Sequence, residues 1–398
     1  MTWLKFLNSF VLLCSMLRRL LHILLCGLTL VVLCGCGSSA RRVEWGEELY
    51  LPHASKGYTI LATEGQSSVL RILSPWPGSK GVVKEIFIAR DGEKAPEGFE
   101  GITIESNPQR VVCMSSSHTA FIDALGCVER IVGVSGAEYL SNPYIVEAVA
   151  DSRVREVGYD AYVNYEVLAA MRPDVVFIYG TSGENGAMSA KLDEMHIPYV
   201  YVADHTETTP LGKSEWVVAF GEIFDRRAEA EEIFCGIAER YESLRLSVLG
   251  AEGRPKVMLN APYKDVWFVP ADDSYVVRLI EDAGGEYLCG GEGRKGLSRP
   301  ISGESAYVYL SQADFWLHPN EARTKAQLVS LNPKFATTKA VGSGNIYNCT
   351  ARSTRSGGSD FWESGALRAD VVLADLISIL HPECMRQEGE LYYYEKVK

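Results

Sequence analysis

The chain has no Cys-x-x-Cys pair, no His-Glu-x-x-His helix and no Gly-x-Ser-x-Gly turn. The first absence argues against a structural zinc site. The other two remove the common signatures of a metallopeptidase and of a serine hydrolase built on an α/β sheet. Histidine is scarce as well: seven residues, widely dispersed, do not suggest several imidazoles converging on one ion. The glycine-rich stretch 290–296 lacks the Gly-Lys-Ser/Thr ending and the following helix of a phosphate cradle, so it reads as a surface turn. Basic residues are also short, 39 against 51 acidic, which argues against nucleic acid as a partner.

What is present begins with a targeting segment. Arg18-Arg19 precede an apolar run at 20–33, too short for an ordinary membrane span and suited to a signal-peptide core. Leu33-Cys34-Gly35-Cys36 resembles a lipoprotein signal, with Cys36 as the residue that would carry lipid. An uncleaved anchor helix is the alternative, because residues 10–14 add apolar length upstream; translation from Met16 would shorten the leader. Six cysteines remain after Cys36, and Cys113 and Cys127 lie in apolar surroundings that suit buried thiols.

At 398 residues the chain exceeds what one core normally serves, so two domains are expected. Short β-type runs at 58–62, 68–73, 82–89 and 102–104 are broken by turn residues. From Arg110 the pattern becomes strand, loop, helix, which implies parallel sheets covered by helices. The spacing of Ile233, Ile237, Tyr241, Leu244 and Val248 marks one apolar face of a long helix, with Asp225 as its expected cap. The fold class is therefore α/β: two α/β lobes with parallel central sheets joined by a single long helix, preceded by a small N-terminal β segment. The expected boundaries are 1–35 signal, 36–50 tether, 51–107 β segment, 108–224 first lobe, 225–250 connecting helix, 251–385 second lobe and 386–398 a peripheral tail.

One unit occurs twice. Asn164-Tyr165-Glu166 and Ser302-Gly303-Glu304 each place a capping side chain two residues before a glutamate, at the start of an apolar helix that feeds a buried strand. Both carboxylates should be exposed in a first helical turn, where the helix dipole favours negative charge. Complementing that dipole is one reading; recognising a pair of guanidinium groups is the other.

These features resemble bacterial substrate-binding lipoproteins of ABC importers for iron-siderophore, heme and cobalamin, the class with a helical backbone between lobes. The resemblance covers about 108–385. It rests on Asn107-Pro108-Gln109-Arg110-Val111-Val112, Leu125-Gly126 before Arg130-Ile131-Val132-Gly133-Val134, Arg172-Pro173-Asp174-Val175-Val176, Ile197-Pro198, Ala283-Gly284-Gly285, Ala340-Val341 before Ile346-Tyr347, and the two glutamate units. It implies a monomer anchored by lipid at the periplasmic face of a bacterial envelope. It also implies no catalytic residue, no intrinsic cofactor and no bound structural metal. The chain would capture a small metal chelate (iron-siderophore, heme or cobalamin) and pass it to a permease dimer docked on Glu166 and Glu304. A zinc or manganese receptor and an exported hydrolase are the readings from other classes.

Ligands of α/β sheets gather at the C-terminal strand ends. The candidate contacts there are Ser116, His118, Tyr179, Trp267, Arg352, Arg355 and Trp362. Five of them have a plainer role beside the first: His118 in a helix cap or local hydrogen bond, Trp267 and Trp362 packing their own lobe, Arg352 and Arg355 solvated in a Ser/Gly-rich loop.

Overall fold

The apolar runs at 58–73 and 83–89 build an antiparallel meander, and a computed structural model of the protein shows how it is used. The structure describes residues 43–398 apart from 160–161, 181–185, 264–265, 292, 297 and 386–389. The signal segment 1–35 and Cys36 lie outside the described residues. Residues 45–95 and 100–398 form one unit; residues 43–44 and 96–99 fall outside it, and there the Phe99 N–H bonds the Pro96 carbonyl.

Strands β1 (Glu48–Tyr50), β2 (Tyr58–Ala62), β3 (Ser68–Leu73), β4 (Val83–Ala89) and β5 (Ile102–Glu105) lie in sequential order, antiparallel until the parallel β4–β5 pair. Register aligns Ile60, Leu70 and Ile86 across the sheet, and all three are buried. The expected tether ended at residue 50, yet Glu48–Tyr50 is a strand, because pairing with β2 satisfies its backbone groups.

The first lobe contains β6 (Val111–Cys113), β7 (Ile131–Val134), β8 (Arg155–Glu156), β9 (Val175–Ile178) and β10 (Tyr199–Tyr201), all parallel in the order β10-β9-β6-β7-β8. Its helices are α1 (Ser116–Ala124), α2 (Pro143–Ala150), α3 (Tyr165–Ala170), α4 (Gly186–Glu194) and α5 (Pro210–Ile223). Helix α5 is buried on nearly every side, the mark of an element enclosed within a core rather than half exposed. It shares that core with the N-terminal sheet.

Three acidic side chains, two of them on α5, clamp the sheet to the lobe. Glu215 accepts the Tyr50 hydroxyl (2.7 Å) and the N–H groups of His53 (2.8 Å), Ala54 (2.7 Å) and Ser55 (2.6 Å). Glu207 accepts the N–H groups of Lys56 and Gly57, and Glu222 pairs with Arg90 (2.7 Å) and Arg227 (3.2 Å). Burying such charges is tolerated because each is ringed by donors.

Helix α6 (Arg227–Ser247) runs between the lobes and packs on α5. Ala230, Phe234, Ile237 and Tyr241 form its buried face, while Ile233 and Leu244 are half-buried. Asp225 is not its cap: at φ 57° it precedes the N-cap Arg226, and its carboxylate meets Arg90 (3.3 Å).

The second lobe contains β11 (Lys256–Leu259), β12 (Trp267–Val269), α7 (Tyr275–Asp282), β13 (Glu286–Tyr287), β14 (Arg299–Ile301), α8 (Gly303–Gln312), β15 (Phe315–Leu317), α9 (Lys325–Leu331), α10 (Lys339–Ser343), β16 (Ile346–Asn348), α11 (Ala369–Leu380) and β17 (Glu395–Lys396). Its main sheet has the order β13-β11-β15-β16-β17, parallel except for β17. The tail is not peripheral. Strand β17 extends the sheet, and Tyr393, Tyr394 and Val397 are buried in the second core, since an apolar run beside an open strand edge has somewhere to go.

Candidate ligand cleft between the lobes

The C-terminal ends of both parallel sheets face each other, and contacts across the gap divide the space into chambers. Ser116 Oγ donates to the Trp362 carbonyl (3.3 Å). Glu363, buried on the second lobe, accepts the Ser141 N–H (2.6 Å), the Ser141 hydroxyl (2.6 Å) and the Asn142 N–H (3.1 Å) from the first. Burial pushes the Glu363 carboxyl up, and the Ser141 and Asn142 donors pull it partly back. Gly358 approaches the Tyr139 carbonyl so closely that a Cβ would stand 1.9 Å from its oxygen, so the loop can meet the first lobe there only as glycine.

The larger chamber, of about 1040 Å³, lies at the β7–β8 end. Its floor is apolar, from Leu140, Val146, Val149 and Ala150, and Tyr159 stands at its side. Arg352 and Arg355 enter from the second lobe. Among the described residues no carboxylate pairs with either guanidinium. Glu156, also in the lining, is engaged by the N–H groups of Gly136 (3.1 Å) and Gly158 (2.6 Å), which fold the β7 and β8 loops around it. This chamber can therefore take a bulky apolar body carrying negative charge toward the second lobe.

The smaller chamber, of about 300 Å³, lies at the β6, β9 and β10 ends and is lined by Ser116, Tyr179, Asp204, Lys213, Tyr275 and Trp362, among others. Lys213 Nζ contacts Asp204 Oδ2 (3.3 Å) and stands 4.9 Å from the centre of the Tyr275 ring. Burial raises the Asp204 carboxyl, but Lys213, with His118 and His205, outweighs it and holds the group below its ordinary value. Its charges are thus paired internally.

The candidate residues separate accordingly. Ser116, Tyr179 and Trp362 meet at the smaller chamber, with Trp362 49% exposed, and Arg352 and Arg355 meet at the larger. Two candidates are corrected. His118 points into the first core, against Phe177 and Phe220 (ring centres 6.3 and 6.1 Å), and burial lowers its pKa to about 4. Trp267 stacks on Trp316 (5.7 Å) and donates its indole N–H to the Leu259 carbonyl (2.9 Å), so it packs its own lobe. Position in the sequence beside a strand end does not tell which way an α1 side chain turns. Sequence reasoning missed Glu363, Lys213 and Asp204; the acid in Asp360-Phe361-Trp362-Glu363 next to a candidate loop was the available signal for the first.

Glu166 and Glu304 are exposed in the first turns of α3 and α8. Asn164 caps α3 by accepting the Val167 N–H (3.0 Å), and Ser302 caps α8 by accepting the Ser305 N–H (3.1 Å). Among the described residues no cluster of three His, Cys, Asp or Glu side chains is arranged to hold a metal ion, and no helix is long and apolar enough to cross a membrane.

Two parallel-sheet lobes, a helical connector and a cleft at the strand ends define a two-lobed α/β solute-binding architecture. The family model described as Periplasmic binding protein matches residues 111–353, and the chain belongs to that family. An uncharacterized lipoprotein of Methanocaldococcus jannaschii is 28% identical over 305 residues, covering 74% of this chain and 70% of the relative. Among solved structures, a periplasmic binding protein from Veillonella parvula superposes with a TM-score of 0.58 at 16% identity, covering 80% of this chain and 99% of the other. A periplasmic heme-binding protein from Pseudomonas aeruginosa gives a TM-score of 0.55 at 20% identity, covering 73% and 98%. The fold is shared with both.

Proposed function

We propose that the protein is the lipid-anchored receptor of an ABC importer, taking an iron chelate of siderophore type into the larger chamber and delivering it to a permease dimer. The single observation that carries this reading is the chamber itself: about 1040 Å³ with an apolar floor on one lobe and two carboxylate-free arginines on the other. The space exceeds what a bare ion needs, and its volume matches sites that enclose sizeable organic ligands. Heme or cobalamin is the alternative of the same class, supported by the fold shared with a heme-binding protein. A bare zinc or manganese receptor finds no ligand set among the described residues. Against a hydrolase, the Ser116 hydroxyl in the smaller chamber donates to the Trp362 carbonyl (3.3 Å) rather than to a base.

In this reading Cys36 carries the lipid, the protein acts as a monomer in the cell envelope, and Glu166 and Glu304 dock on the permease. The relative from an archaeon bears the name lipoprotein, so the envelope, rather than a bacterial one in particular, is the location proposed. The test is calorimetric titration of the mature chain with a ferric tris-catecholate, a ferric tris-hydroxamate, hemin, cobalamin, and zinc or manganese chloride. Binding of at least one chelate at micromolar concentration or below is expected. Stoichiometric binding of a bare cation with no chelate bound would sink the proposal.

A further inference from the structure

The tail that ends the second lobe does more than complete a sheet. Asp375, buried on α11, accepts three consecutive backbone N–H groups, from Tyr392 (2.9 Å), Tyr393 (2.7 Å) and Tyr394 (3.3 Å). The two tyrosines that follow the first are hydrogen-bonded outside the tail: the Tyr393 hydroxyl meets Ser364 Oγ (2.8 Å), and the Tyr394 hydroxyl meets His318 Nε2 (2.7 Å). Directly after Tyr394, β17 is paired with β16. Tyr392 is therefore a ring on a backbone fixed from three directions. Over that ring stand two guanidinium groups, Arg352 at 3.9 Å and Arg368 at 4.6 Å from its centre.

Arg352 lines the larger chamber and, with Arg368 and Tyr392, also a neighbouring cavity of about 370 Å³. A guanidinium laid on an aromatic face keeps its N–H edge available for a planar anion, because the face contact uses the π cloud rather than the donors. Without the ring, a solvated arginine would sample many rotamers and lose entropy on binding.

We propose that Tyr392 is a positioning residue that holds Arg352 ready for the anionic part of the ligand, and thereby sets a preference for anionic over neutral chelates. The proposal rests on the reading of the larger chamber as the ligand site. Its consequence is that selectivity between ligands of different charge is controlled from a residue in the C-terminal tail, outside the loops that line the chamber.

The full mature chain tests it with four variants: Arg352→Ala, Tyr392→Leu, Tyr392→Phe and the double variant Arg352→Ala with Tyr392→Leu. Calorimetry is run against a ferric tris-catecholate, which is trianionic, and a ferric tris-hydroxamate, which is neutral. Tyr392→Leu should weaken the catecholate about tenfold, near 1.4 kcal/mol, and leave the hydroxamate within about twofold. Tyr392→Phe keeps the ring and should stay near the native value. The double variant should be no weaker than Arg352→Ala alone, the signature of two residues acting through one contact. Equal loss for both chelates, or additive losses in the double variant, would overturn the proposal. A second measurement needs no ligand: the δ-methylene protons of Arg352 should show an upfield ring-current shift in the native and Tyr392→Phe proteins, lost in Tyr392→Leu. If no chelate binds the native protein, the ligand reading fails and the proposed charge preference fails with it; if the ring-current shift is missing, the positioning role fails whatever binds.

Discussion

His118 shows how much a single side chain can hide. Its helix α1 begins at a strand end that faces the cleft, as the residue order implied, but the ring turns inward and neither nitrogen finds a hydrogen-bond partner among the described residues. Burial lowers its pKa from about 6.5 to about 4. An unfolded imidazole takes up a proton near its ordinary value and the folded one only near 4, so between those limits the unfolded chain binds more protons. Stability is then lost as pH falls through that window, by about 2 kcal/mol at roughly pH 5 from this group. His118→Leu should remove that share, and thermal melting at about pH 7 and about pH 5 should show a smaller acid-induced fall than the native protein. An equal fall in both would mean that the ring is protonated in the folded state. Residue types at strand ends were legible as candidates; side-chain direction was not, because it depends on whether Phe177 and Phe220 leave room for a ring between them.

At the scale of elements, most strands were legible where apolar alternation is bounded by turn residues, as at Tyr58–Ala62, Ser68–Leu73 and Ile131–Val134. The misses have a common cause. Glu48–Tyr50 and Glu395–Lys396 are too short and polar to announce themselves, and each becomes a strand only because a partner edge lies waiting. Helix α5 went unread because acidic residues interrupt its apolar run, although Glu215 and Glu222 are buried where the N-terminal segment supplies donors. The clamp gives an element-scale prediction. Glu215→Gln would turn an amide donor toward N–H groups now accepted by a carboxylate, costing roughly 3 kcal/mol. Urea denaturation should register that loss, and limited proteolysis should cut first within 45–95. An unchanged midpoint would mean that the sheet is held by its apolar face alone.

For the molecule as a whole, the two-lobed plan, the connector and the repeated glutamate unit were legible because each rests on periodicity or capping chemistry. The division of the cleft was not, since it depends on Glu363 meeting Ser141 and Asn142 across more than two hundred residues of sequence. The proposed docking pair is tested at this scale. With Glu166→Arg and Glu304→Arg together, chelate affinity should remain within about twofold, because both positions are exposed on the outer turns of α3 and α8, while uptake through the importer should cease. Full uptake by that variant would refute the docking role.

The wall between the chambers has an optical consequence. Trp76, Trp216, Trp267 and Trp316 are buried in the cores and Trp45 is half-buried, whereas Trp362 stands half in solvent at the boundary where both lobes meet. Among the described residues the protein thus carries four dry indoles, one half-buried and one wet. Of the described indoles Trp362 is the most exposed and contributes most to the red edge of the emission, so an iron chelate in either chamber would dim that edge most strongly.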